Sequence, residues 1–129
     1  MTSFVSPLLR SKPSSFTLTN TRNQQVVART VTTAFDSESR RRGLLKHASM
    51  AEGSALIIAP TNAIHTFFMR FAIDVAFVSK DGRVVKVRSA VRPWRIAAAW
   101  RAFAVIELPA GALDASDTRA GDRLRVNGS

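Results

Sequence analysis

Apolar residues in this chain come in short blocks punctuated by Gly, Pro, Asp and Asn, the rhythm of strands and turns rather than of long helices. Residues 25–34 carry Val26, Val27 and Val31 with Thr30, Thr32 and Thr33, β-branched side chains that suit a pleated strand. Residues 55–59 form a continuous apolar run halted by Pro60, which predicts a buried strand. Across 64–69, alternation puts His65, Phe67 and Met69 on one face and Ile64, Thr66 and Phe68 on the other. Both faces are largely apolar, so a central strand is expected. Further strands are predicted over 73–79, 83–89, 103–108 and 123–126, and one helical turn over 112–116. Asp36 or Ser37 would cap a helix over 37–46, with Glu38 at its positive end and arginines towards its negative end. Asp81-Gly82 predicts a two-residue hairpin with positive φ at both positions. Residues 91–101 read as a long loop holding Trp94 and Trp100.

This pattern places the chain in the mainly β class, as a single-domain β-sandwich or partly closed barrel with one or two short helices. The domain is expected over 25–127, with 1–24 a flexible or early-strand lead-in. An apolar content of 46% in 129 residues suffices for one core. Cysteine is absent, which excludes disulfides, cysteine nucleophiles and thiolate metal sites. With His47 and His65 the only histidines, no three-histidine site fits within one chain. His47, in a basic polar stretch, is expected at the surface.

The formal charge of +10 favours anionic partners: an acidic small molecule, an acidic protein or nucleic acid. No apolar run is long enough for a membrane span. Ser6 and Pro7 interrupt the N-terminal apolar stretch, a poor secretory signal, so a soluble cytoplasmic protein is expected.

The chemistry resides in polar residues embedded in apolar strands: His65, Thr66, Asp74 and Glu107. A buried carboxylate needs partners or takes a proton. These groups would form a structural network, line a pocket, or reach water at strand ends. Asp74 could orient His65 as a base, but Thr66 points to the opposite strand face and no Gly-x-Ser-x-Gly elbow supplies a nucleophile. His65, Asp74 and Glu107 have the ligand types of a mononuclear metal site, without supporting spacing. Arg92-Pro-Trp-Arg95 would suit a carboxylate or phosphate through its arginines. Residues 80–101 hold seven basic residues and one acid, which suits RNA or single-stranded DNA. The absence of Tyr, and phenylalanines set in core-like runs, count against that reading.

Five segments, Arg42-Gly-Leu-Leu45, residues 64–75, Asp81-Gly82, Arg92-Pro-Trp-Arg95 and Ile106-Glu-Leu-Pro-Ala-Gly111, occur in an order and spacing that resembles the family called domain of unknown function 192. The resemblance covers about residues 25–127 and implies a compact, jelly-roll-like β-sandwich without a known reaction, substrate or cofactor. It carries the family's polar signature onto His65, Thr66, Met69, Asp74, Asp81 and Glu107. Ala72 replaces a usual proline, and Lys46-His47 a more frequent Gly-Arg. The resulting expectation is a non-enzymatic binding or accessory domain for a small anionic ligand or a protein partner. Its candidate site is His65, Met69, Asp74 and Glu107, rimmed by Arg92, Trp94 and Arg95, with Asp81 and Gly82 as a structural turn. No catalytic residue, metal or cofactor is assigned. The alternatives are a small hydrolase or metal-assisted enzyme, and a nucleic-acid binder.

Overall fold

The computed structural model describes residues 4–10, 16–36 and 48–128. The helix expected over 37–46 and His47 lie outside them. The described elements are α1 (Ser6–Arg10), β1 (Phe16–Asn20), β2 (Val26–Ala28), β3 (Thr30–Ala34), β4 (Ser54–Ile58), β5 (Ala63–His65), β6 (Ile73–Val78), β7 (Val84–Val91), β8 (Ile96–Ala98), β9 (Ala104–Pro109), α2 (Ala112–Ala115) and β10 (Leu124–Gly128). The class is mainly β, as expected. The strands form three sheets of order β10-β1-β2, β3-β4-β9-β6-β7 and β5-β8.

The five-stranded sheet is the middle layer, and this explains the continuous apolar runs. Every residue of β6 is buried, as are residues 55–58 of β4 and 104–108 of β9, because both faces are covered. One face presents Ile57, Ala76, Val78, Ile106 and Leu108 to a first core shared with Leu18, Val27 and Leu124 of the three-stranded sheet. The other presents Leu56, Ile58, Ile73, Val75, Phe77 and Val105 to a second core. The β5–β8 ribbon closes that second core with Ala97 and Ile64. Phe77 is wholly buried there, and such a side chain contributes about 2 kcal/mol.

Four local expectations change. Residues 25–34 are two strands, not one: β2 joins β1 while β3 pairs in parallel with β4, so the chain switches sheets at Arg29. Residues 64–69 are not a central strand. Only Ala63–His65 is extended, at the molecular surface, and Phe68 enters the left-handed region at φ 67. Residues 91–101 are not all loop, since Ile96–Ala98 pairs with β5. The β6–β7 turn is longer than two residues. The Gly82 N–H donates to Ser79 O at 3.0 Å, and of the expected pair only Gly82 has positive φ, 89°. A Cβ on Gly82 would lie 2.5 Å from Leu124 O, so glycine is needed for space as well as conformation. Asp81 faces solvent, accepts from Ser79 Oγ and pairs with Arg123 at 3.0 Å. Phe4 and Val5 join the first core, and β1 is the middle strand of its sheet.

Candidate functional site

Thr66 organises the surface around the β5–β8 ribbon. It is fully buried, and its hydroxyl donates to Arg92 O at 2.6 Å and accepts from Arg95 N–H at 2.9 Å. Its main chain adds Thr66 N–H to Arg95 O at 2.8 Å and Trp94 N–H to Thr66 O at 3.0 Å. The turn after β5 and the Arg92-Pro-Trp-Arg95 turn are thereby stapled together. Each turn carries an aromatic residue in the left-handed region, Phe68 at φ 67 and Trp94 at φ 66, conformations that bulky side chains adopt only when their surroundings enforce them.

The register of the ribbon sorts its side chains. Ile64 and Ala97 are partners and face the second core, whereas His65 and Ile96 are partners and face solvent. His65 stacks on Phe67 at 4.9 Å, and Phe67 on Trp94 at 5.7 Å, with interplanar angles of 30° and 27°. Phe68 leans on Trp94 at 4.7 Å. The rings thus form one column along the ribbon. Phe68 is 68% exposed, Trp94 56%, Ile96 66% and Trp100 79%, so four of the five exposed large apolar side chains among the described residues lie in this region.

Its charge is one-sided. No acidic residue occurs between Glu52 and Asp74, or between Asp81 and Glu107. Arg70, Arg88, Arg92, Arg95 and Arg101 are exposed, and none is in an ion pair among the described residues. Arg88 is the strand partner of Val75 and leaves the sheet on the ribbon's side. The Arg101 guanidinium sits 5.1 Å above the Trp100 ring, and Arg95 Nη1 donates to Trp94 O at 3.3 Å.

Of the residues expected at the site, His65, Arg92, Trp94 and Arg95 share this surface, while Met69, Asp74 and Glu107 do not. Met69 is buried in the second core. Asp74 is saturated by main-chain amides: Oδ1 accepts from Ala90 at 2.8 Å, and Oδ2 from Gly111 at 3.0 Å and Leu113 at 2.9 Å. Its carboxylate locks Ala90, at φ 49, and the start of α2. It therefore does not orient His65, whose Nδ1 accepts from the Phe67 N–H at 3.3 Å. Glu107 lies between Leu56 and Val75 of the neighbouring strands and points into the second core. Its Oε1 has no hydrogen-bond partner, and burial pushes its carboxyl up to about 7. Among the described residues no three His, Asp or Glu side chains converge as metal ligands.

Reading the sequence missed Phe68 and Ile96 as surface residues and the half-buried Phe67 as a link between His65 and Trp94; the acid-free stretches flanking them were the available signal. It also missed a polar cluster where β1 ends, in the three-stranded sheet. There the buried Asn20 donates to Asp122 Oδ2 at 2.9 Å, and Arg22 Nε donates to Asp122 Oδ1 at 2.7 Å. Arg22 and Asn20 hold the Asp122 carboxyl down, at about 2.

The model of DUF192, described as an uncharacterized ACR, matches residues 18–126. The chain belongs to the DUF192 family. A UPF0127 protein of Pyrococcus furiosus is 38% identical over 66 residues, half of this chain and 56% of its own length. This DUF192 domain thus spans little more than half of that curated relative. Two solved structures share the fold. A candidate transcription regulator from Sinorhizobium meliloti 1021 superposes with a TM-score of 0.76 at 21% identity, covering 86% of this chain and 91% of its own. A protein of unknown function from Novosphingobium aromaticivorans DSM 12444 gives 0.72 at 20% identity, covering 90% and 94%. Among the described residues no helix is long and apolar enough to cross a membrane.

Proposed function

We propose that this DUF192 domain is a non-enzymatic binding domain, and that it takes an anionic ligand on the outer face of the β5–β8 ribbon. One observation carries the reading: exposed rings and unpaired arginines occupy one surface without a carboxylate among them. An exposed apolar patch held in strained backbone is costly unless it serves an interaction. Thr66 supplies the preorganisation, since it fixes the turn that bears Arg92, Trp94 and Arg95.

The test is a titration with inorganic polyphosphate, followed through the emission of Trp94 and Trp100. Saturable quenching that falls steeply with salt is expected, and the doubly substituted Arg92→Glu, Arg95→Glu protein should lose it. A flat response at low salt to polyphosphate, to nucleic acid and to anionic vesicles alike would end this proposal.

A further inference from the structure

We infer that the ligand of this face is single-stranded nucleic acid, its bases continuing the ring column and its phosphates paired with the flanking arginines. This rests on the proposed anion-binding role and adds what is specific to the rings. Phosphate recognition alone calls for arginines, not for neighbouring aromatic side chains held out in solvent. His65, Phe67 and Trp94 stack in sequence at centroid separations of 4.9 and 5.7 Å, each ring tilted about 30° from the next, an arrangement that a further flat ring can extend. Trp100, 79% exposed with Arg101 over its ring, offers a second platform with a cation beside it. Every base has a π-face, so such a surface accepts a strand with little regard to sequence.

The same features disfavour the other polyanions. In a duplex the base faces are already occupied by their neighbours. A bilayer anchor keeps its apolar tip free of charge, whereas here Arg95 is hydrogen-bonded to the Trp94 carbonyl and Arg101 lies on Trp100. Phe68, in one of the runs that the sequence places in the core, is exposed and so weakens the objection drawn from the phenylalanines.

The experiment measures fluorescence anisotropy of a labelled oligothymidylate and oligouridylate of about twelve nucleotides, a length suited to a single small domain. The competitors are the matching duplex, polyphosphate of equal charge, and phosphatidylglycerol vesicles. Binding should weaken with salt at a logarithmic slope of roughly −2 to −3, as expected if three or four phosphates are engaged. Trp100→Ala should weaken it by roughly 5- to 100-fold, the usual effect of losing one stacked base. Arg92→Glu with Arg95→Glu should abolish it. Arg125→Glu, exposed on β10, should change it by less than about threefold and serves as the charge control. Near-ultraviolet circular dichroism confirms that each variant is folded. Polyphosphate or duplex competing as well as the single strand, or an unaltered affinity in Trp100→Ala, overturns the nucleic-acid inference and leaves the anion-binding face standing. Vesicle binding without oligonucleotide binding does the same. Failure of every polyanion to bind overturns both.

Discussion

Asn20, Arg22 and Asp122 at one end of the sandwich, and the arginines around the β5–β8 ribbon, use charge in opposite ways. The Asp122 carboxylate receives Arg22, the Asn20 amide and the Arg119 N–H, and Arg22 also reaches the Asp117 carbonyl. Donors and acceptors there are matched within the fold, so the cluster holds β1 to the turn before β10. Around the ribbon the arginines have no carboxylate, the rings have solvent, and order comes from one buried threonine beneath them. A saturated cluster stabilises the molecule; an unsaturated surface on a rigid support keeps its interactions for something else.

Substitutions can break this contrast, starting with the largest effect. Asp122→Ala orphans Arg22 and the buried Asn20 amide, and should cost about 3 kcal/mol in denaturant unfolding while leaving ligand binding intact. Glu107 gives a comparable effect through pH. Its folded-state pKa of about 7 lies above its ordinary value of 4.5, so the folded protein favours the protonated form. The stability that Glu107 contributes is therefore fullest below pH 4.5, falls as pH rises through the interval to 7, and is flat above it. The loss amounts to about 3 kcal/mol. Glu107→Gln should flatten that profile in unfolding experiments from pH 4 to 8. Thr66→Val removes the staple and should cost about 1–2 kcal/mol, with faster amide exchange at Trp94 and Arg95 and weaker binding. Trp100→Ala comes last. Its melting temperature should match a stability change within about 0.5 kcal/mol, because the side chain is solvated. A large destabilisation by Trp100→Ala, or a negligible one by Asp122→Ala, would erase the distinction between the two regions.

The layered core was legible because burial on both faces leaves a mark, as in the unbroken run of 55–58 and in the alternation-free β6. The same rule misled at 64–69, where an equally apolar run lies half in solvent. What turns the chain there is the Thr66 hydroxyl meeting Arg92 and Arg95, contacts 26 and 29 residues away that no local period encodes. Asp74 and Glu107 looked alike in sequence, each a carboxylate in an apolar strand. They differ because Asp74 meets the amides of Ala90, Gly111 and Leu113, while Glu107 Oε1 is buried without a hydrogen-bond partner. Arg92, Trp94 and Arg95 could be singled out from residue type alone, since proline, tryptophan and arginine in one turn are already unusual. Asn20 and Asp122 could not, because their pairing spans 102 residues.

The pairing of Phe16 with Gly128 has a kinetic consequence. Closing so long a loop adds little to the equilibrium cost but delays its formation, whereas the β6–β7 hairpin joins close neighbours in sequence. A refolding chain should therefore protect the amides of Val75 and Phe77 early and those of Thr19 and Arg125, which face each other across β1 and β10, late. Pulse-labelled hydrogen exchange reads that order directly.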